Sequence, residues 1–245
     1  MSVSYEAELP EKPPRAIPDA FVALVAPETG MERQARVGKA RLAFLVAFAC
    51  AALSGFAQAS RVDARSSTLA RLDKDNKLAE MSDKQVDDEV KSAERLFQVS
   101  HVAAGIVRAP VLLGLASLGV IGLAWFLKGK VKGRAVVPVA AATLLPSAIG
   151  DLLDAVSAFA RQTIPADAVS LAPRNLSAAL AALGHPLVGP ALKLGGAFDF
   201  FSLWAAILMG YGVAAVGDVP KRRALIGTLV AWVCVRLLVA VAAGG

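Results

Sequence analysis

The chain is poor in the residues that perform chemistry. It holds two histidines and two cysteines in 245 residues. His101 and His185 fall in different loops, too sparse for a metal site. Cys50 and Cys234 lie inside apolar runs, where a thiol packs as a small hydrophobe rather than half of a disulfide or redox pair. No phosphate-binding glycine loop, HExxH, GxSxG or cysteine-pair metal motif is present. These absences lead us to expect no catalytic residues and no cofactor. Aromatic residues are also scarce, at 6%, so the 56% hydrophobic content is mainly Ala, Leu and Val. That mixture suits helices packing in lipid better than a soluble core. Acid is missing where base is dense. Arg33, Arg36, Lys39 and Arg41 follow Glu32 with no acid among them. Lys128, Lys130, Lys132 and Arg134 have none either, and Lys221, Arg222 and Arg223 face only Asp218. The net charge of +6 therefore gathers at the ends of apolar runs. This is a membrane pattern, not a nucleic-acid footprint.

What is present is long apolar stretches, and a span needs about 20 such residues. Five approach this: 42–58, 110–127, 135–160, 198–217 and 224–243. The expected fold is an all-α, polytopic bundle of five transmembrane helices with an additional outer amphipathic helix. Pro138 and Pro146 predict a kinked or partly unwound third span. The three basic segments fall on one side of a five-span chain, which the positive-inside rule makes cytoplasmic. The N-terminus is then cytoplasmic and the C-terminus outside. The organisation reads as a flexible cytoplasmic tail over 1–40, a first span over 41–59, an outer helical segment over 60–107, and a four-span domain over 108–245. Residues 31–59 also imitate a secretory signal ending Ala57-x-Ala59. The long apolar run and the long preceding segment favour a retained anchor. Ser60 emerges outside under either reading.

The tail contains one apolar patch, IPDAFVALVAP, whose alternative reading is a docking peptide or interfacial helix. The outer segment carries a capping-box signature, Ser82 with Gln85. Val86, Val90, Ala93 and Phe97 then recur at helical spacing. Asp87 and Lys91 form an i,i+4 pair of favourable order. Such a stripe must cover something. It either lies on the membrane or on its own domain, or binds a partner through Val86, Val90 and Phe97. In the loop over 161–197, Asn175 is placed to cap a short helix ending near Gly184.

Four charges sit within or at the edges of spans: Asp151, Asp154, Asp199 and Arg236. Such charges are costly in lipid and point to function. Counting at ~1.5 Å per residue places all four in the outer half. Asp151 and Asp154 share a helix face. An Asp151–Arg236 ion pair clamping spans three to five is the preferred reading. The alternative, a proton or ion pathway, calls for more polar residues along the spans.

The run GGAFDFFSLWAAILMGYGVAAVGDVPKRRALIGTLVAW resembles the end of Yip-one-type membrane domains (Ypt/Rab-interacting proteins) in their bacterial form. Asp199, Phe201, Ser202, Leu203, Trp204, Gly212 and the basic turn at 221–223 carry the likeness. It extends over residues 95–243 and leaves out the charged helix and the tail. Ala206, Gly210 and Ala214 add small-xxx-small spacing for close helix contact. The resemblance implies a five-span bundle without catalytic residues in a bacterial inner membrane. It also implies an accessory role beside an ABC-type exporter, with a transporter permease or a periplasmic adaptor as partner. A transporter or lipid-handling protein that uses the outer-half carboxylates is the alternative. Membrane lipid is expected as a partner, and nucleic acid is not.

Overall fold

A backbone in lipid must satisfy its own hydrogen bonds, and this chain does so almost entirely with helices. A computed structural model describes residues 18–165 and 171–242 and is 81% helical. The element order is α1 (Asp19–Val25), α2 (Pro27–Val37), α3 (Ala40–Ala59), β1 (Val62–Asp63), α4 (Ala64–Lys74), α5 (Asp83–Phe126), α6 (Gly133–Thr143), α7 (Leu145–Phe159), β2 (Ile164–Pro165), α8 (Leu176–Ala182), α9 (Pro190–Ala197), α10 (Phe200–Gly217) and α11 (Lys221–Ala242). Among the described residues, five helical stretches are long and apolar enough to cross a membrane: α3, α5, α6–α7 together, α10 and α11. The architecture is that of a multi-pass membrane protein. The basic segments meet at one end, where the backbone N–H groups of Lys130 and Lys132 donate to the carbonyls of Gly217 and Val216. At the opposite end, here the loop end, β1 pairs with β2 in parallel, Val62 opposite Ile164.

The third span occupies the centre. Val139, Ala140, Ala141 and Ala142 of α6 are fully buried. The expected break falls at Leu144, between α6 and α7, with Pro146 in the first turn of α7. Proline has no N–H for the ladder there. Just before the break, the Thr143 hydroxyl donates to the Ala140 carbonyl at 2.7 Å. Around this core, α3 and α5 approach without side chains between them. A Cβ on Gly55 would lie 2.5 Å from the His101 carbonyl oxygen, and one on Gly105 would lie 2.7 Å from that of Ala51. Ala57 and Ala59, the residues that imitate a cleavage site, are buried within the last turns of α3. The small-residue spacing of α10 serves α11. A Cβ on Gly210 would meet the Leu225 backbone at 3.0 Å.

The structure corrects three expectations. First, the tail is not free over its whole length; residues 1–17 lie outside the described residues, but α1 and α2 are folded. Met31 is fully buried among Val120, Val139, Val213 and Val216, so α2 closes the basic end of the bundle. Lys221 clasps Glu28 and stands 2.9 Å from Glu32. That hydrogen-bonded ammonium holds the Glu32 carboxyl below its ordinary range. The tail's composition concealed this because α2, PETGMERQARV, is mostly polar and buries only Gly30, Met31 and Gln34. Second, the outer amphipathic helix and the second span are one helix of 44 residues, α5, and Pro110 lies inside it without ending it. Buried Gly105 and Ala109 before the proline, and Ala116 and Val120 after it, hold the helix on both sides. Such packing outweighs the ~3 kcal/mol that an interior proline costs. The capping box is formed, with Gln85 Oε1 accepting from the Ser82 backbone N–H at 2.8 Å. Third, the stripe of Val86, Val90 and Phe97 is not a free partner surface. Val90 is buried, Val86 and Phe97 are half-buried, and α4 packs along this part of α5. Asp87 turns to Arg65 at 3.9 Å and Glu89 to Arg71 at 2.8 Å. The acids of α5 therefore bind α4 across the hairpin, where the sequence suggested a pair within the helix.

Candidate functional site

Two aspartates three residues apart on an apolar helix need counter-charges, and the fold supplies two. Asp151 and Asp154 of α7 are both buried. Arg108 reaches Asp151 from α5 at 2.9 Å. Asp151 Oδ1 accepts no well-directed hydrogen bond there, so the contact is chiefly coulombic. Arg174, from the loop before α8, stands 3.3 Å from Asp154, 3.2 Å from Asp199 and 3.9 Å from Asp151. One guanidinium thus joins α7 to the start of α10, using the fixed fork that suits arginine to several carboxylates. Gly150 makes the room: a Cβ there would lie 2.8 Å from Arg174 Nη1 and 3.1 Å from the Phe201 ring.

The carboxylates also organise backbone. Asp154 Oδ1 accepts from the N–H groups of Leu171 and Ala172, at 3.2 and 3.0 Å. This fixes the loop that delivers Arg174. Asp199 is the N-cap of α10, and its Oδ1 accepts from Ser202 N–H at 2.8 Å. Asn175 caps α8 as its sequence context suggested, accepting from Ala178 N–H at 2.8 Å. Among the described residues of the cluster, no nucleophile is hydrogen-bonded to a side-chain base. Among the described residues no group of His, Cys, Asp and Glu is arranged to hold a metal ion.

Three of the four predicted intramembrane charges therefore converge: Asp151, Asp154 and Asp199. The predicted Asp151–Arg236 pair does not form. Among the described residues no carboxylate lies within 4.0 Å of Arg236. Instead it lines a polar chamber beside Arg108, Arg174, Asp199 and Ser202. Arg236 was the only cation inside a predicted span, which made it the natural partner on paper. The true partners, Arg108 and Arg174, lie outside the five apolar stretches in sequence. Arg108 carried a usable signal, as the one Lys or Arg between 96 and 127, two residues from Pro110. Arg174 carried little, because no periodicity connects it to α7 across the intervening loop.

The residues that carry the Yip-type likeness have structural places. Asp199 caps α10 and Ser202 answers it, its hydroxyl donating back to the Asp199 carbonyl at 2.8 Å. Phe201 and Leu203 line an apolar groove beside the cluster. Trp204 packs against the central core, and Gly212 lies against Val139. No family model, curated protein or solved structure matches the chain.

Proposed function

We propose that this chain is a non-enzymatic accessory protein of the bacterial inner membrane that docks to an ABC-type exporter. Its basic end lies in the cytoplasm and its loop end outside, as the positive-inside rule requires of the clusters at Lys128–Arg134 and Lys221–Arg223. The observation that carries the reading is the hairpin of α4 and α5. Because α5 runs unbroken from the bundle into the hairpin, residues 83–98 form a rigid arm ~24 Å long. With its stripe covered by α4, the arm presents its other face to a permease or periplasmic adaptor, the partners that the Yip-type likeness implies. Lys84, Asp88, Lys91 and Arg95 are exposed on it. The aspartates support an accessory role over an ion pathway. Each is held by arginine, and two of them by backbone N–H groups as well, which suits a clamp.

A photo-crosslinking residue at Lys91 or Arg95, activated in intact cells, tests the docking. Adducts with an ABC permease or its adaptor are expected. Adducts confined to lipid or to this chain itself overturn it. Reporter fusions at Lys130 and after Gly245 are expected to lie in opposite compartments.

A further inference from the structure

Trp232 and Arg236 stand one turn apart on α11 and border two adjoining spaces. Trp232 lines an apolar groove of about 760 Å³, with Leu153, Val156, Phe198 and Leu203 among its walls. Arg236 lines the polar chamber, of about 170 Å³. The two spaces share Arg174, Asn175, Asp199 and Phe201 in their linings. The groove falls within the ~300–1,000 Å³ typical of ligand sites. Its boundary is fixed. Trp232 Nε1–H donates to the Ser202 hydroxyl at 3.3 Å, and its ring stands edge-on to Phe198 at 5.5 Å.

Three arginines face the three aspartates, but the ion pairs among the described residues are made by Arg108 and Arg174, not by Arg236. Asp154 is shared between Arg174 and two backbone N–H groups. Asp199 is shared between Arg174 and its helix cap. Asp151 faces Arg108 and, further off, Arg174. Arg236 is half-buried and has no carboxylate within 4.0 Å among the described residues; Asp199 acts on it only from farther off and is already engaged by Arg174. A half-buried guanidinium is costly when its counter-charge is distant and shared. A bound anion in the chamber supplies a nearer one.

We propose that this is a binding site for an anionic phospholipid taken from the surrounding bilayer. One acyl chain occupies the groove, and the phosphate meets Arg236 with Arg174 behind it. Arginine is suited to phosphate through its paired donors. The cluster lies at the loop end of the spans, the level at which lipid head groups sit. The site does not depend on the exporter reading, and either can fail alone.

The test uses the full chain, purified in mild detergent and stripped of lipid. Native mass spectrometry measures binding of palmitoyl-lysophosphatidylglycerol against palmitoyl-lysophosphatidylcholine, which share a chain and differ in net charge. The anionic lipid is expected to bind about tenfold more tightly, the scale of one charge-assisted contact. Arg236→Gln is expected to erase that preference and Arg236→Lys to keep much of it. Val156→Trp, at an exposed groove position, is expected to weaken both lipids several-fold. Glycerol phosphate, a head group without a chain, is expected not to compete. Equal binding of the two lipids overturns the proposal, as does a preference that survives Arg236→Gln. Competition by glycerol phosphate at the same concentration also overturns it, since the groove would then have no part. Should Arg236→Gln fail to fold, the lipid comparison and Val156→Trp still decide.

Discussion

Arg174→Gln is the substitution that most directly separates the observed cluster from an Asp151–Arg236 clamp. The Arg174 side chain is 14% exposed, and it faces Asp154 at 3% and Asp151 at 4%. At an effective dielectric of 20, each contact near 3.3 Å carries ~5 kcal/mol of attraction, most of it offset by the desolvation of the charges. Removing one partner does not return that desolvation to the carboxylates, so the loss is ~3–5 kcal/mol. Arg108→Gln is milder, ~1 kcal/mol, because that side chain is 41% exposed and Asp151 keeps Arg174. Arg236→Gln, which breaks no ion pair within 4.0 Å among the described residues, leaves stability unchanged or raises it. The assay is unfolding in mild detergent by heat and by titrated denaturing detergent, followed by circular dichroism. Arg174→Gln combined with Asp154→Asn should regain part of the loss, since it removes one of the stranded charges. An Arg236→Gln protein as unstable as Arg174→Gln, or a neutral Arg174→Gln, refutes the assignment.

Other perturbations follow the same geometry. Gly55→Val forces a side chain onto the α5 backbone, which cannot yield as a side chain would, and costs at least ~1–3 kcal/mol in the same melts. Gly114→Ala, with nothing within 4 Å of the new methyl, is the control and leaves stability unchanged or raised. Met31→Ala empties a fully buried position and lowers stability by ~2–5 kcal/mol; proteolysis between α2 and α3 should accelerate with it if α2 is docked. Asp63 caps α4 through Ser66 N–H at 3.0 Å, and that bond holds its carboxyl below the ordinary range. A lowered folded pKa contributes stability above the unfolded value, near pH ~4, and loses it as pH falls through the folded value. Asp63→Ala should cost α4 ~1 kcal/mol at neutral pH, read as faster amide exchange. Asp63→Asn should keep the cap and remove this acid-dependent part; an unchanged pH profile would show that the cap does not titrate.

The five spans and the break in the third were legible in the order of residues alone. So were the caps at Ser82, Asn175 and the small-residue face of α10. Each depends on neighbours a few positions apart: apolar runs of set length, a proline without its N–H, a side chain returning to a nearby amide. These local terms act wherever the helix later docks. What the stripe on α5 touches, and which arginine answers Asp151, were not legible. Val90 looked like an interface residue until α4 folded back on it. Arg236 looked like a partner by depth along its span, yet depth says nothing of the direction a side chain faces around the bundle. Arg108 and Arg174 reach the cluster from segments 43 and 23 residues away from Asp151 in sequence. That meeting is decided by the close approach of α3 to α5 at Gly55 and Gly105, by the room Gly150 leaves for Arg174, and by the loop that Asp154 holds. The sequence by itself determined where helices form and which residues must avoid lipid. The tertiary structure decided which charges neutralise one another, because coulombic pairing depends on distance through space and a helical chain sets that only once its faces have packed.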